Sequence, residues 1–152
     1  MRGFFLTILI LVAACAGKRE ASPERRAEVA RRGAEVMPFD LAKTHHVFED
    51  TGDGGVQTVT ASEVTDTLQV RLIREHLQLE SSRFAHGEFD DPMAIHGMAM
   101  PGLAELKAGS SRIAIAYSEL PAGAAIRYKA SEPSLIAALH RWFAAQRMYH
   151  GS

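Results

Sequence analysis

The chain has 152 residues and a formal net charge of −1. A balance this close to neutral gives no basis for nucleic acid as a partner, and the length supports one core of ordinary size but not two. The single cysteine, Cys15, excludes an internal disulfide, a Cys-x-x-Cys redox pair and a thiolate metal site in the domain that follows it.

At the N-terminus, Arg2 precedes the apolar run Phe4 to Val12, and Val12-Ala13-Ala14-Cys15 closes it. This is a charged n-region, a short apolar stretch and a small-residue cleavage site, and the run is too short to span a bilayer. Val-Ala-Ala-Cys resembles a bacterial lipobox, with Val12 where leucine is usual. That resemblance implies a signal peptide over 1–14 and a lipid on Cys15. The expected location is the cell envelope, anchored to a bacterial membrane and facing the periplasm or exterior, with membrane lipid as a partner. Residues 15–36 carry almost no large apolar side chains and read as the lipidated N-terminus and a flexible tether. Ser22, Pro23 and Glu24 offer a helix start inside it, and its arginines suit anionic head groups.

Residues 37–152 read as a single α+β domain with a weak internal duplication, repeats at about 44–87 and 111–151 around an insert at 88–110. His46-Val-Phe-Glu, the turn residues Thr51 to Gly55 and Val56 to Thr60 predict a hairpin, and a helical pattern follows from about Asp66 to Ala85. Arg112 to Tyr117, the turn Leu120-Pro-Ala-Gly123 and Ala125 to Lys129 repeat the hairpin, and Pro133 to Tyr149 repeats the helix. Ala61-Ser-Glu63 and Ala130-Ser-Glu132 stand at equivalent points. Two ββα units predict a four-stranded antiparallel sheet with two long helices on one face and a short helical insert.

The insert holds Met93, His96, Met98 and Met100 around Gly97 and before Pro101. Thioether sulfur with imidazole is the ligand set that suits copper, above all Cu(I). Asp90-Asp91-Pro92 is a helix-start signal, and 101–109 reads as a short helix ended by Gly109. Met100 is pushed out of helical geometry by the proline after it. If 96–100 is extended, His96, Met98 and Met100 share one side; if 92–96 is a helical turn, Met93 joins His96 on one face.

The repeat sorts the other histidines. His76 matches His140, and His86-Gly87 matches His150-Gly151. Ten residues of helix span about 15 Å, so the two histidines of one helix cannot bind the same ion. His86 and His150 precede a glycine at a helix end, where an imidazole suits the helix dipole. His76 and His140 lie in mid-helix, with satisfied-core and ligand readings both open. His45 and His46 point to opposite faces of one strand, so at most one of them aims at a given site.

Other chemical signals are weaker. Asp50-Thr51-Gly52 has the letters of an aspartic-protease triplet, but its Gly-rich setting predicts a hairpin turn. Asp50 and Asp53 lack the spacing and distal glutamate of a calcium loop, and no phosphate loop, nucleophile elbow or dinucleotide fingerprint is present. Glu75, Glu80, Glu88, Asp90 and Asp91 have the chemistry for acid or base work, but with nothing in the sequence to pair them they read as a solvated face.

Met37-Pro-Phe-Asp-Leu41, Asp53-Gly-Gly-Val-Gln57, Leu72 to Leu77, His96-Gly97, Met100-Pro-Gly-Leu-Ala-Glu-Leu106 and Ala138 to Phe143 resemble a poorly characterised family of small bacterial proteins. Its members often carry the label aspartate carbamoyltransferase. The likeness runs from Met37 to Gly151 and places His96 and Met100 at matching positions. The Ser-Thr-Arg-Thr carbamoyl-phosphate motif of that transferase is absent.

The functional expectation is an extracytoplasmic, membrane-anchored metal-binding protein, with copper as the leading ion and haem as another cofactor, in transport, storage or sensing. His96, Met100, Met98 and Met93 are the candidate ligands, completed by His46 or His76. The alternatives are a ligand-free interaction or scaffold lipoprotein, and a small enzyme with His76 or His96 as base. The sequence names no protein partner, and a homodimer is one assembly open to it.

Overall fold

Four eight-residue strands and five helices follow in the order α1 (Pro23–Val36), β1 (Thr44–Thr51), β2 (Gly54–Ala61), α2 (Thr67–Ala85), α3 (Asp90–His96), α4 (Leu103–Gly109), β3 (Ile113–Leu120), β4 (Gly123–Ala130) and α5 (Pro133–His150). The computed structural model describes residues 21–97 and 99–150. Cys15, the leader 1–14 and Met98 therefore lie outside the described residues.

The sheet is antiparallel with order β1-β2-β4-β3, so the second strands of the two hairpins pair at its centre. Phe48, Val59, Ile113, Ala124, Ile126 and Tyr128 are buried on the face covered by α2 and α5. Val47, Glu49, Ala114, Ala116, Ser118 and Lys129 alternate with them and are exposed, which is the period of two that a half-buried sheet requires. The α+β architecture thus matches the duplicated ββα pattern. Each helix also packs on the hairpin of the other half: α2 lies mainly over β3 and β4, and α5 over β1 and β2.

Local chemistry fixes the helix ends. Asp66 accepts from the Gln69 amide at 3.2 Å and opens α2. At the other end Gly87, at φ +80°, lets its own amide reach the Phe84 carbonyl at 3.0 Å and the Glu88 amide reach that of Arg83 at 3.0 Å. His86 takes the expected helix-end role, its Nδ1 bonded to the Ser82 carbonyl at 2.7 Å. The insert breaks at Gly97 (φ +91°) and Gly102 (φ +82°), and the helical alternative for 92–96 is the one observed. Residues 23–36, expected as part of a flexible tether, instead form α1, which packs on α3 and buries Val29 and Gly33. Ser22 caps it, accepting from the Arg25 amide at 3.2 Å.

An aromatic block fills the centre. Phe84 stacks on Phe89 at 4.7 Å, and both meet Trp142 edge-on, at 6.0 and 6.1 Å. Such pairs contribute roughly 0.5–1.5 kcal/mol each beyond the area they bury. Packing against Phe143 is equally close: a Cβ on Gly55 would collide with Phe143 Cε2 and stand 2.9 Å from the Glu49 carbonyl oxygen, whereas a Cβ on Gly52 would meet nothing within 4 Å. Gly55→Ala should therefore destabilise the domain by about 1–3 kcal/mol and Gly52→Ala by no more than about 0.5 kcal/mol. Denaturant midpoints of the two variants check this, and equal midpoints would refute the packing assigned to Gly55.

Candidate functional site

Residues of α2, α3, α5, β1 and β2 line a cavity of about 40 Å³. Its wall is not apolar throughout: His46, Gln57, His76, Glu80, Asp91, His96 and Gln146 reach it, among Phe39, Phe48, Phe84 and Trp142. A buried water needs roughly 10–15 Å³, and a drug-sized ligand occupies several hundred. The space therefore suits a cation or one or two waters.

The wall concentrates ionisable groups. His76 and Glu80 are four residues apart on α2, hence on one face, and Asp91 comes from the first turn of α3. One donor atom from each of the three lies within 4.8 Å of the other two. His76 and Glu80 are 8% and 5% exposed, well below what a free charge tolerates. Arg83 answers the negative charge from the rim, its Nη1 at 3.4 Å from Glu80 Oε1 and 3.5 Å from Asp91 Oδ2. Its own side chain is 41% exposed, so it sits at the water boundary.

Burial decides the protonation states. It pushes the Glu80 carboxyl from 4.5 up to about 8, with the nearby Asp91 charge and a hydrogen bond to Asp91 adding to the rise and Arg83 opposing it. Glu80 is accordingly a neutral acid at pH 7. Burial also lowers the His76 imidazole below its ordinary 6.5, against the pull of Asp91, which leaves a neutral ring with a free lone pair. Tyr128 is held far above the phenol range by the same cause and donates to Gln57 Oε1 at 2.8 Å.

Of the ligands expected from sequence, the structure brings His46, His76 and His96 to this one cavity. His46 packs its ring on Phe39 at 5.9 Å, as does His76 at 5.6 Å. His96 is buried against Tyr149, ring centres 5.0 Å apart. Of the expected sulfur ligands, Met100 is packed in the apolar core and Met93 lies against that core, and neither lines the cavity; the methionine that does line it among the described residues is Met37. His45 is exposed and bonds to Ser62 Oγ at 3.2 Å. His140 has a structural role, its Nε2 held between the carbonyls of Thr51 at 3.0 Å and Gly54 at 2.9 Å. Glu80 and Asp91, read from sequence as part of a solvated face, are the groups that reasoning missed. The missed signal is the mismatch between the halves: His46, Gln57 and Glu80 stand where the second half has Ile115, Ile126 and Ala144.

Compared with models of known families, with curated proteins and with solved structures, the chain gives no match. Among the described residues, no helix is long and apolar enough to cross a membrane.

The raised Glu80 value carries a stability signature. The unfolded chain ionises this carboxyl near 4.5 and the folded one near 8, so the folded state holds the extra proton between those values. Stability from this group is complete below pH 4.5, falls as pH rises and levels off above about 8, a total of a few kcal/mol. Glu80→Gln keeps a neutral side chain at every pH and should remove most of that decline, gaining on wild type steadily from pH 5 to 8. Urea midpoints against pH provide the check; parallel curves would contradict the buried, protonated state.

Proposed function

We propose that this chain is an extracytoplasmic, lipid-anchored protein whose folded domain holds one divalent cation at His76, Glu80 and Asp91, with His46 and His96 in reach of the same cavity, for transport, storage or sensing of that ion. The observation that carries the reading is the convergence of an imidazole and two carboxyl groups, within 4.8 Å, on a small cavity with room for an ion. A neutral imidazole needs no deprotonation to bind, and a divalent charge would replace both the Glu80 proton and the Arg83 guanidinium as the answer to two carboxylates. Nitrogen with oxygen donors in the His76, Glu80 and Asp91 cluster favours a borderline ion, Zn²⁺ or Cu²⁺, over Cu(I), although the Met37 thioether also lines the cavity. Copper therefore stays in the reading as Cu²⁺, and Met93 and Met100 are assigned to packing. The lipid anchor is supported by Arg2, the apolar run and Val12-Ala13-Ala14-Cys15.

Metal retention tests the site. Wild type, loaded with Zn²⁺ or Cu²⁺ and desalted, is expected to keep about one equivalent. His76→Ala and Asp91→Asn should weaken binding at least about tenfold, while Met93→Leu and Met100→Leu keep it. Retention in none of them, or equal loss in the methionine variants, would sink the proposal. Turnover that survives chelation would favour an enzyme, and membrane-partner capture without metal would favour a scaffold. The anchor has its own test: expressed in a bacterium, the full chain should fractionate with membranes, and Cys15→Ser should move it to the soluble fraction; unchanged membrane association would refute lipidation at Cys15.

A further inference from the structure

Two groups on the cavity wall are not used by the cation cluster. Trp142 and Gln146 stand four residues apart on α5, 1% and 5% exposed, and both reach the cavity. Among the described residues, neither Trp142 Nε1 nor Gln146 Oε1 meets a hydrogen-bond partner. Buried polar atoms in native folds are ordinarily satisfied, so a pair of orphans on two residues that line one cavity marks a place for something that satisfies them. One is a donor and the other an acceptor. A cavity of about 40 Å³ has room for that ligand beside an ion but for no organic substrate.

We infer that Trp142 and Gln146 form a site for one small inorganic ligand next to the cation cluster: a water that accepts from the indole N–H and donates to the amide oxygen, exchangeable for an anion of two or three atoms that takes the indole hydrogen bond. The water position stands on the orphaned pair alone. The exchange with an anion rests on the metal reading, because the cation supplies the charge that holds it. Three protein ligands and a solvent position describe an open metal site, in contrast to the closed four-ligand set of a purely structural ion. When the anion enters, water leaves as a neutral molecule and no covalent bond of the protein changes.

Trp142 is the sole tryptophan, so its indole proton gives an unambiguous resonance. In the metal-free chain a rotating-frame Overhauser contact of dipolar sign between that proton and a long-lived water is expected, and Gln146→Leu should abolish it. A wild-type indole without this contact overturns the site whether or not metal binds. In the Co²⁺-loaded chain, azide titration followed on the visible Co²⁺ bands should show Trp142→Phe weakening azide about tenfold. Gln146→Leu, which leaves the donor in place, should hold azide within about threefold of wild type. Co²⁺ retained with unchanged azide affinity in Trp142→Phe overturns the anion site and leaves the metal reading standing. Wild type that binds no Co²⁺ overturns the metal reading, and the water contact then decides the solvent position. If Trp142→Phe does not fold, loss or persistence of the contact in Gln146→Leu decides it.

Discussion

The antiparallel ladder between β2 and β4 is the constraint from which the rest of the domain follows. Its register pairs Gln57 with Ile126, and these two positions are equivalent in the duplication, so an approximate twofold axis passes between them. Hydrogen bonds obey that axis well beyond the ladder. The Ala130 amide reaches the Asp53 carbonyl at 2.9 Å, and its counterpart, the Ala61 amide, reaches that of Ala122 at 2.8 Å. The equivalent hairpin-turn carbonyls are also held in both halves, though by residues at different positions: His140 on α5 holds those of Thr51 and Gly54, and Arg74 on α2, two residues before the match of His140, holds those of Leu120 and Gly123. Because each long helix also covers the other half's hairpin, neither ββα unit buries its apolar face by itself. The halves are therefore stable only together, as expected where one core is shared.

How much of this is legible in the sequence depends on whether a residue's role is local. The hairpins and long helices are legible because alternation, helical period and caps such as Asp66 and Gly87 act within a few residues. Helix α1 is not, since the residues it buries, Val29 and Gly33, are small and leave no apolar stripe to count. Three of the candidate histidines reach one cavity, yet the sequence could not pair them with Glu80 and Asp91. An acidic residue looks the same whether it faces water or a core, and Asp91 also reads as an ordinary helix start. Met100 shows the complementary ambiguity: thioether chemistry is suggestive by composition, but a flexible side chain beside a glycine and a proline also fills irregular core space, which is what Met100 does. Divergence between the halves is the more discriminating signal, because a shared backbone position that is isoleucine or alanine in one half and ionisable or amide-bearing in the other has lost its packing reason for being polar.

That divergence costs the apo fold stability. Removing Gln57, His76 and Glu80 from water without full compensation opposes the gain from the aromatic block beside them. The structure limits the cost in ways visible in the geometry: Gln57 is satisfied by Tyr128, Glu80 keeps its proton, His76 stays neutral and Arg83 answers the remaining charge from the rim. Each of these is a partial answer. A protonated acid and a half-exposed guanidinium at 3.4–3.5 Å are weaker partners for two carboxyl groups than a cation between them. The apo arrangement is thus one that a divalent ion would improve, and the second half, where Ala144 stands at the position of Glu80, does without that buried carboxyl.

The N-terminal helix links this cavity to the chain that precedes it. Arg25 on α1 donates through Nη2 to the His96 carbonyl at 2.7 Å, and its guanidinium lies 5.6 Å over the ring of Tyr149, which itself packs on the His96 imidazole. A part-buried, charge-assisted bond combined with a cation–π contact is stronger than either alone and fixes direction as well as distance. It ties the last residue of α3 to α1 and α5 together, so the backbone that carries His96 into the cavity is positioned by the same segment that leads toward the N-terminus. Composition made 23–36 look like a spacer because it carries almost no large apolar side chains; the structure shows that one of its arginines, Arg25, holds the backbone of a residue that lines the site.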